Sequence, residues 1–184
     1  MVENNILVIE ASHNDLGSLV EVIKSTFPHD FELEGKFSYE LCRDLFTRAI
    51  EDPNEMIYVA KQDKDVVGFC YYINKPPTNG TVILEMMGVR KDLQRKGIGK
   101  KLLTEADNKI VQYIQKIGIN NLATIHLTVS EDNEVARKLY DKCGYIHVGD
   151  IPGFVGEGNK ELVMLKKVSD GKYRERIWTN PYEK

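Results

Sequence analysis

Ile6-Leu7-Val8-Ile9 is a short apolar, β-branched run, and the Ser12-His13-Asn14-Asp15 cluster behind it is rich in helix N-cap types. The pattern predicts a strand that hands over to a helix. Leu16, Leu19, Val20 and Ile23 recur at helical spacing up to Phe27-Pro28, and a second helical pattern over 38–50 carries Leu41, Leu45, Phe46 and Ile50 before Pro53 stops it. The segment 28–37 between them reads as a loop.

Met56 to Ala60 and Val66 to Ile73 are strand-like runs, and Pro76-Pro77-Thr78-Asn79-Gly80 turns into a third, Thr81 to Val89. An antiparallel meander is expected there. After a glycine loop comes a helix whose apolar face is Leu102, Leu103, Ala106, Ile110, Val111, Ile114 and Ile117, with Gly118 as its cap. Ala123 to Val129 reads as a strand, Val135, Ala136 and Leu139 mark a helix that Gly144 stops, and two last strands lie near 145–149 and 161–168. The order β-α-α-β-β-β-α-β-α-β-β gives an α/β (α+β) chain with a mixed sheet and at least one strand-helix-strand crossover.

The chain has 184 residues, 42% hydrophobic and 29% charged, which is enough to build one core without disulfides. A net charge of -3 supplies no global basic field, so no nucleic-acid partner is expected. Cys42, Cys70 and Cys143 are far apart and odd in number, which fits a reducing compartment and no zinc site. The N-terminus has no signal-peptide pattern, and no window approaches the roughly 20 apolar residues of a membrane span. A cytoplasmic protein with no metal and no membrane partner is the expectation.

Gln94-Arg95-Lys96-Gly97-Ile98-Gly99-Lys100 stands between a strand and a helix. Unpaired N–H groups at such a helix start cradle anions, glycines admit a pyrophosphate close to the main chain, and Arg95, Lys96 and Lys100 add positive charge. A plain basic connection is the competing reading. A dinucleotide fingerprint would need glycine at Leu102, and the P-loop spacing is missing. Farther on, Asn133 and Tyr140 are seven residues apart, on one face of a helix, so both can meet one ligand. Singly, they read as an N-cap and a half-buried aromatic.

Together these residues resemble the GNAT superfamily, the Gcn5-related N-acetyltransferases, over roughly residues 5–168. Its pyrophosphate signature, Gln/Arg-x-x-Gly-x-Gly/Ala, stands here as Gln94-Arg95-Lys96-Gly97-Ile98-Gly99, five residues after a strand ending in Val89. Its later pattern stands as Leu127-Thr128-Val129, Asn133, Leu139-Tyr140 and Gly144-Tyr145. The resemblance implies a mixed, mostly antiparallel central sheet with helices on both faces and a splayed pair of parallel strands, those ending at Val89 and Val129, that admits the pantetheine arm of acetyl-CoA. By similarity, Met87, Gly88 and Val89 offer main-chain groups, Gln94 to Lys100 wrap the pyrophosphate, Asn133 holds the cofactor arm, and Tyr140 protonates the departing thiolate.

That chemistry is direct acetyl transfer to a primary amine. A main-chain N–H at the splay stabilises developing oxyanion charge, and a tyrosine of ordinary pKa about 10 supplies a proton without being ionised at neutral pH. Glu85 shares strand alternation with Met87 and Val89 and is the candidate general base, against a plain surface carboxylate. Ribosomal-protein acetyltransferases of the superfamily carry a glutamate where this chain has Thr128, which counts against that subfamily. His126 and His147 read as sheet histidines without metal or triad partners, and Cys143 as a packing residue.

The acceptor side falls to two loops. Asp30, Glu32 and Glu34 are placed to attract a cationic amine, and Gly149, Gly153, Gly156 and Gly158 permit a mobile lid; ordinary loop composition is the alternative for both. The acceptor is a small-molecule amine such as a polyamine, or a peptide or protein amine. The alternative from another class is a catalytically silent coenzyme A sensor of the same fold, against which Tyr140 and Glu85 argue. Residues 1–170 form one domain in this reading. The tail 171–184, with Tyr173, Trp178 and Tyr182, reads as an extra strand, a homodimer contact or a frayed end.

Overall fold

The computed structural model describes residues 6–74, 81–116, 124–153 and 158–168. β1 (Ile6–Glu10) leads through a 3-10 turn at His13–Asp15 into α1 (Leu16–Thr26). The turn is held by Asp15, whose Oδ2 accepts from both the N–H and the hydroxyl of Ser12 at 2.9 Å, while Lys61 forms an ion pair with its other oxygen. The segment expected as a loop instead contains a small hairpin, β2 (Glu32–Leu33) and β3 (Lys36–Phe37), turned by Glu34 and Gly35 at φ of 52° and 74°. Strands of two residues are too short to register as periodicity. What anchors the hairpin is tertiary: Phe31 packs against Phe37 and against Phe46 of α2 (Tyr39–Glu51).

The remaining elements are β4 (Glu55–Gln62), β5 (Asp65–Ile73), β6 (Thr81–Val89), α3 (Ile98–Lys116), β7 (Thr124–Ser130), α4 (Glu134–Lys142), β8 (Ile146–Pro152) and β9 (Lys160–Lys167). Seven strands form one sheet in the order β1-β4-β5-β6-β7-β9-β8, antiparallel except at β6–β7. Helices cover both faces, as the resemblance implies. Leu19, Ile23 and Phe46 of α1 and α2 pack with Phe69 on one side, and Leu102, Leu103 and Ile110 of α3 pack with Ile125 and Leu127 on the other. Each such side chain contributes about 1.5–3 kcal/mol on burial.

The parallel pair is short. β6 and β7 are in register only over Thr81, Val82 and Ile83 against Thr124, Ile125 and His126, and their later residues part. A bulge begins at that point: on β5, Tyr72 pairs with Leu84 and Tyr71 with Met86, which leaves Glu85 as the extra residue. A bulge bends its strand and shifts the alternation. Val82, Leu84, Met87 and Val89 therefore pack on the α3 side, whereas Met86 packs with the α1–α2 cluster.

Among the described residues, no helix is long and apolar enough to cross a membrane, and the three cysteines are free and buried. The turn at 76–80, the Gly118 cap, Gly156 of the glycine loop and the tail 171–184 lie outside the described residues.

Candidate active site

The gap between β6 and β7 is lined on the β6 side by Glu85 to Val89, whose opposite edge is paired with Gly68 to Tyr71 of β5. Gly88 is buried where α1 ends. A β-carbon there would lie 2.9 Å from Phe69 Cε1 and 2.9 Å from Thr26 Oγ1, so only glycine lets α1 sit this close to the strand. The expected alternation of Glu85 with Met87 and Val89 does not hold. The bulge turns Glu85 from the face of Met87 and Val89, leaves it exposed, and places its charge near Tyr71, whose phenol it helps to push up after burial and the hydrogen bond to Glu55.

Beyond β6 the chain makes the predicted loop. Arg95 and Gly97 adopt positive φ, 61° and 84°, and α3 starts at Ile98. For Arg95 this is a strained conformation of the kind concentrated at functional sites. The first-turn N–H groups of α3 have no partners within the helix, and Arg95, Lys96, Gly97 and Lys100 are exposed beside them, so the loop presents donors and positive charge to an anion. Gln94 is occupied differently: its Nε2 donates to the Val89 carbonyl at 2.9 Å, tying the loop back to the strand. That contact engages the Val89 carbonyl and the Gln94 amide nitrogen.

α4 approaches from the far side. Asn133 caps it, its Oδ1 accepting from the Ala136 N–H at 3.1 Å, so the plain capping role is real. Arg137 reinforces the turn by donating to the Glu131 carbonyl at 2.6 Å. Gly99 brings the pieces together, for a β-carbon there would lie 3.3 Å from Leu139 Cδ2 and 3.5 Å from Met87 Cε. The next residue, Tyr140, is 9% exposed in the α3-side core, and its hydroxyl has no hydrogen-bond partner among the described residues. Burial pushes its phenol up, and the Cys70 thiol and the Asp107 carboxylate add to the effect, so Tyr140 keeps its proton at neutral pH.

The sequence reading missed one polar cluster. Asp107 of α3 is 1% exposed and accepts from Tyr72 Oη at 2.7 Å, from Tyr145 Oη at 3.1 Å and from Lys166 Nζ at 2.8 Å. The signal was present: Asp107 interrupts the apolar face formed by Leu103, Ala106 and Ile110. His147, which reads as a sheet histidine without a metal or triad partner, donates from Nε2 to Asp150 Oδ1 at 2.6 Å on the exposed edge strand. His126 is half-buried and its imidazole is pushed down by burial. Cys143 is buried behind α4, where burial raises its thiol. Asp30, Glu32 and Glu34 are exposed on and around the β2–β3 hairpin, with Glu32 2.7 Å from the His29 ring.

The model of the acetyltransferase (GNAT) family matches residues 17–145. A probable spermine N(1)-acetyltransferase of Bacillus subtilis subsp. natto is 28% identical over 128 residues, covering 65% of this chain and 77% of the relative. A 5-NmdU N-acetyltransferase of Pseudomonas phage PaMx11 is 27% identical over 154 residues, covering 83% of this chain and 94% of the relative. Among solved structures, a variant of the Vibrio cholerae spermidine N-acetyltransferase shares the fold with a TM-score of 0.70 at 19% identity, over 93% of this chain and 97% of that one. The family match spans most of the chain, from α1 through the parted strands and the glycine loop to Tyr145, and the protein belongs to the acetyltransferase (GNAT) family and is an N-acetyltransferase.

Proposed function

We propose that this protein transfers the acetyl group of acetyl-CoA directly to a primary amine of a small, cationic molecule of the polyamine class. The observation that carries the reading is the parting of β6 and β7 after Ile83 and His126, with the N-terminus of α3 packed through Gly99 against Leu139 of α4, the residue before Tyr140. A parted strand pair exposes main-chain donors and acceptors that a continuous sheet would consume. The residues suit the cosubstrate: the first turn of α3 with Arg95, Lys96, Gly97 and Lys100 suits a pyrophosphate, and the free edge of Met87 and Gly88 suits an amide-bearing arm.

Bound there, acetyl-CoA supplies a reactive thioester carbonyl. Tyr140, which is protonated at neutral pH, donates its proton to the departing sulfur and regains one from solvent. Glu85, exposed at the bulge, takes a proton from the acceptor's ammonium group, and the free amine so formed attacks the thioester carbonyl, making the C–N bond as the C–S bond breaks. Asn133 positions the cosubstrate through the side-chain NH2 group that its cap leaves over. The amine class rests on the exposed carboxylates Asp30, Glu32 and Glu34, which attract polycations, and on a curated relative named for spermine acetylation.

The test is thiol release from acetyl-CoA with separate pools of polyamines, aminoglycosides, amino acids and peptides with free N-termini. Release confined to the polyamine pool is expected. Release confined to peptides would overturn the acceptor class, and calorimetric binding of acetyl-CoA without release in any pool would favour a silent sensor.

A further inference from the structure

We infer that the buried Asp107 carboxylate is a positioning residue for Tyr140, acting through Tyr145. The inference rests on the reading of Tyr140 as the proton donor. Three donors from three different segments meet at Asp107: Tyr72 on β5, Lys166 on β9, and Tyr145 between α4 and β8. Replacing such a buried ionic cluster by apolar side chains of equal volume is often neutral or stabilising, so folding alone gives little reason to build it.

What the cluster holds is the end of α4. Gly144, at φ 89°, turns the chain back, and the Tyr145 N–H donates to the Tyr140 carbonyl at 3.1 Å. The two rings lie 5.8 Å apart, centroid to centroid. Tyr145 is 1% exposed and pinned at three points: its N–H on Tyr140, its phenol on Asp107, and its ring under the Lys166 ammonium, 5.6 Å from the centroid. Tyr140, whose hydroxyl has no partner of its own among the described residues, thus takes its orientation from Tyr145. The groups facing it from the packed elements are Cys70 on β5, Asp107 on α3, Cys143 and Tyr145.

A double-mutant cycle tests this. Tyr145→Phe keeps the ring and removes the hydroxyl that Asp107 holds; kcat should fall about tenfold while KM for acetyl-CoA holds. In a Tyr140→Phe background, the same substitution should change the residual kcat by less than about twofold. Tyr72→Phe removes a comparable hydrogen bond from Asp107 without touching Tyr145, and its kcat should stay near wild type. Equal losses in Tyr72→Phe and Tyr145→Phe, an unchanged kcat in Tyr145→Phe, or an undiminished loss in the Tyr140→Phe background would each overturn the inference. Should Tyr145→Phe fail to fold, Lys166→Met is put through the same cycle and judged by the same criteria. Full turnover by Tyr140→Phe alone would instead defeat the assignment of the acid.

Discussion

Gly99 at the start of α3 and Leu139 on α4 touch so closely that a β-carbon on Gly99 would lie 3.3 Å from Leu139 Cδ2. Through this contact, the loop that would hold the pyrophosphate also sets the height of the helix that carries Tyr140. Gly99→Ala should displace α4 by a few tenths of an ångström and lower kcat by roughly tenfold, since small misplacements of catalytic groups are costly. Steady-state kinetics alongside a thermal melt would check it; a kcat equal to wild type would mean that α4 gives way without moving Tyr140.

Tyr140→Phe should lower kcat by about 10²–10³-fold, the range of a positioned general acid, with little change in KM for acetyl-CoA. Because the hydroxyl has no partner among the described residues, thermal stability should be unchanged. A stable variant with normal turnover would remove Tyr140 from the mechanism.

Gly88→Ala should destabilise the protein by about 1–3 kcal/mol, the usual cost of overpacking a core. The added carbon would meet the Phe69 ring and the end of α1 at 2.9 Å, and the β5–β6 pairing leaves the strand little room to retreat. Urea denaturation reads this directly, and a shift under 0.5 kcal/mol, about the noise of surface substitutions, would show that α1 is more loosely docked than its contacts imply.

Asp15 links stability to pH. Burial alone would raise its carboxyl, but the Lys61 ammonium and the Ser12 N–H and hydroxyl outweigh burial and hold it below its ordinary value of 3.8. A lowered carboxyl contributes stability that is present above pH 3.8 and lost as pH falls through the folded-state value. Asp15→Asn should therefore cost about 1–3 kcal/mol at neutral pH and progressively less in acid. Denaturation midpoints of the two proteins at pH 7 and pH 3 would check it; a gap that widened in acid would reverse the sign.

Part of the candidate site was legible before the fold. Gln94 to Gly99 and Leu139-Tyr140 stand out through their joint resemblance to a family's motifs, since singly they read as a basic connection and a half-buried aromatic; the structure puts Gly97 at positive φ and Tyr140 in the core. Glu85 was harder. Alternation assumes an unbroken ladder, and no residue pattern in Thr81–Val89 announces that β5 leaves one position of β6 unpaired. The β2–β3 hairpin escaped for a related reason, since what holds two-residue strands is Phe31 in a distant aromatic cluster.

Local periodicity, turn chemistry and backbone freedom set the order of the main strands and helices, the glycine loop that opens α3 and the capping and aromatic positions of α4, so these could be read from the residues alone. Where β6 and β7 part, and that Asp107 gathers Tyr72, Tyr145 and Lys166 behind Tyr140, were decided by tertiary packing. Those facts depend on strand register and on side chains 35 to 59 positions apart meeting in one core, and distances of that kind are set by the packing of the whole sheet.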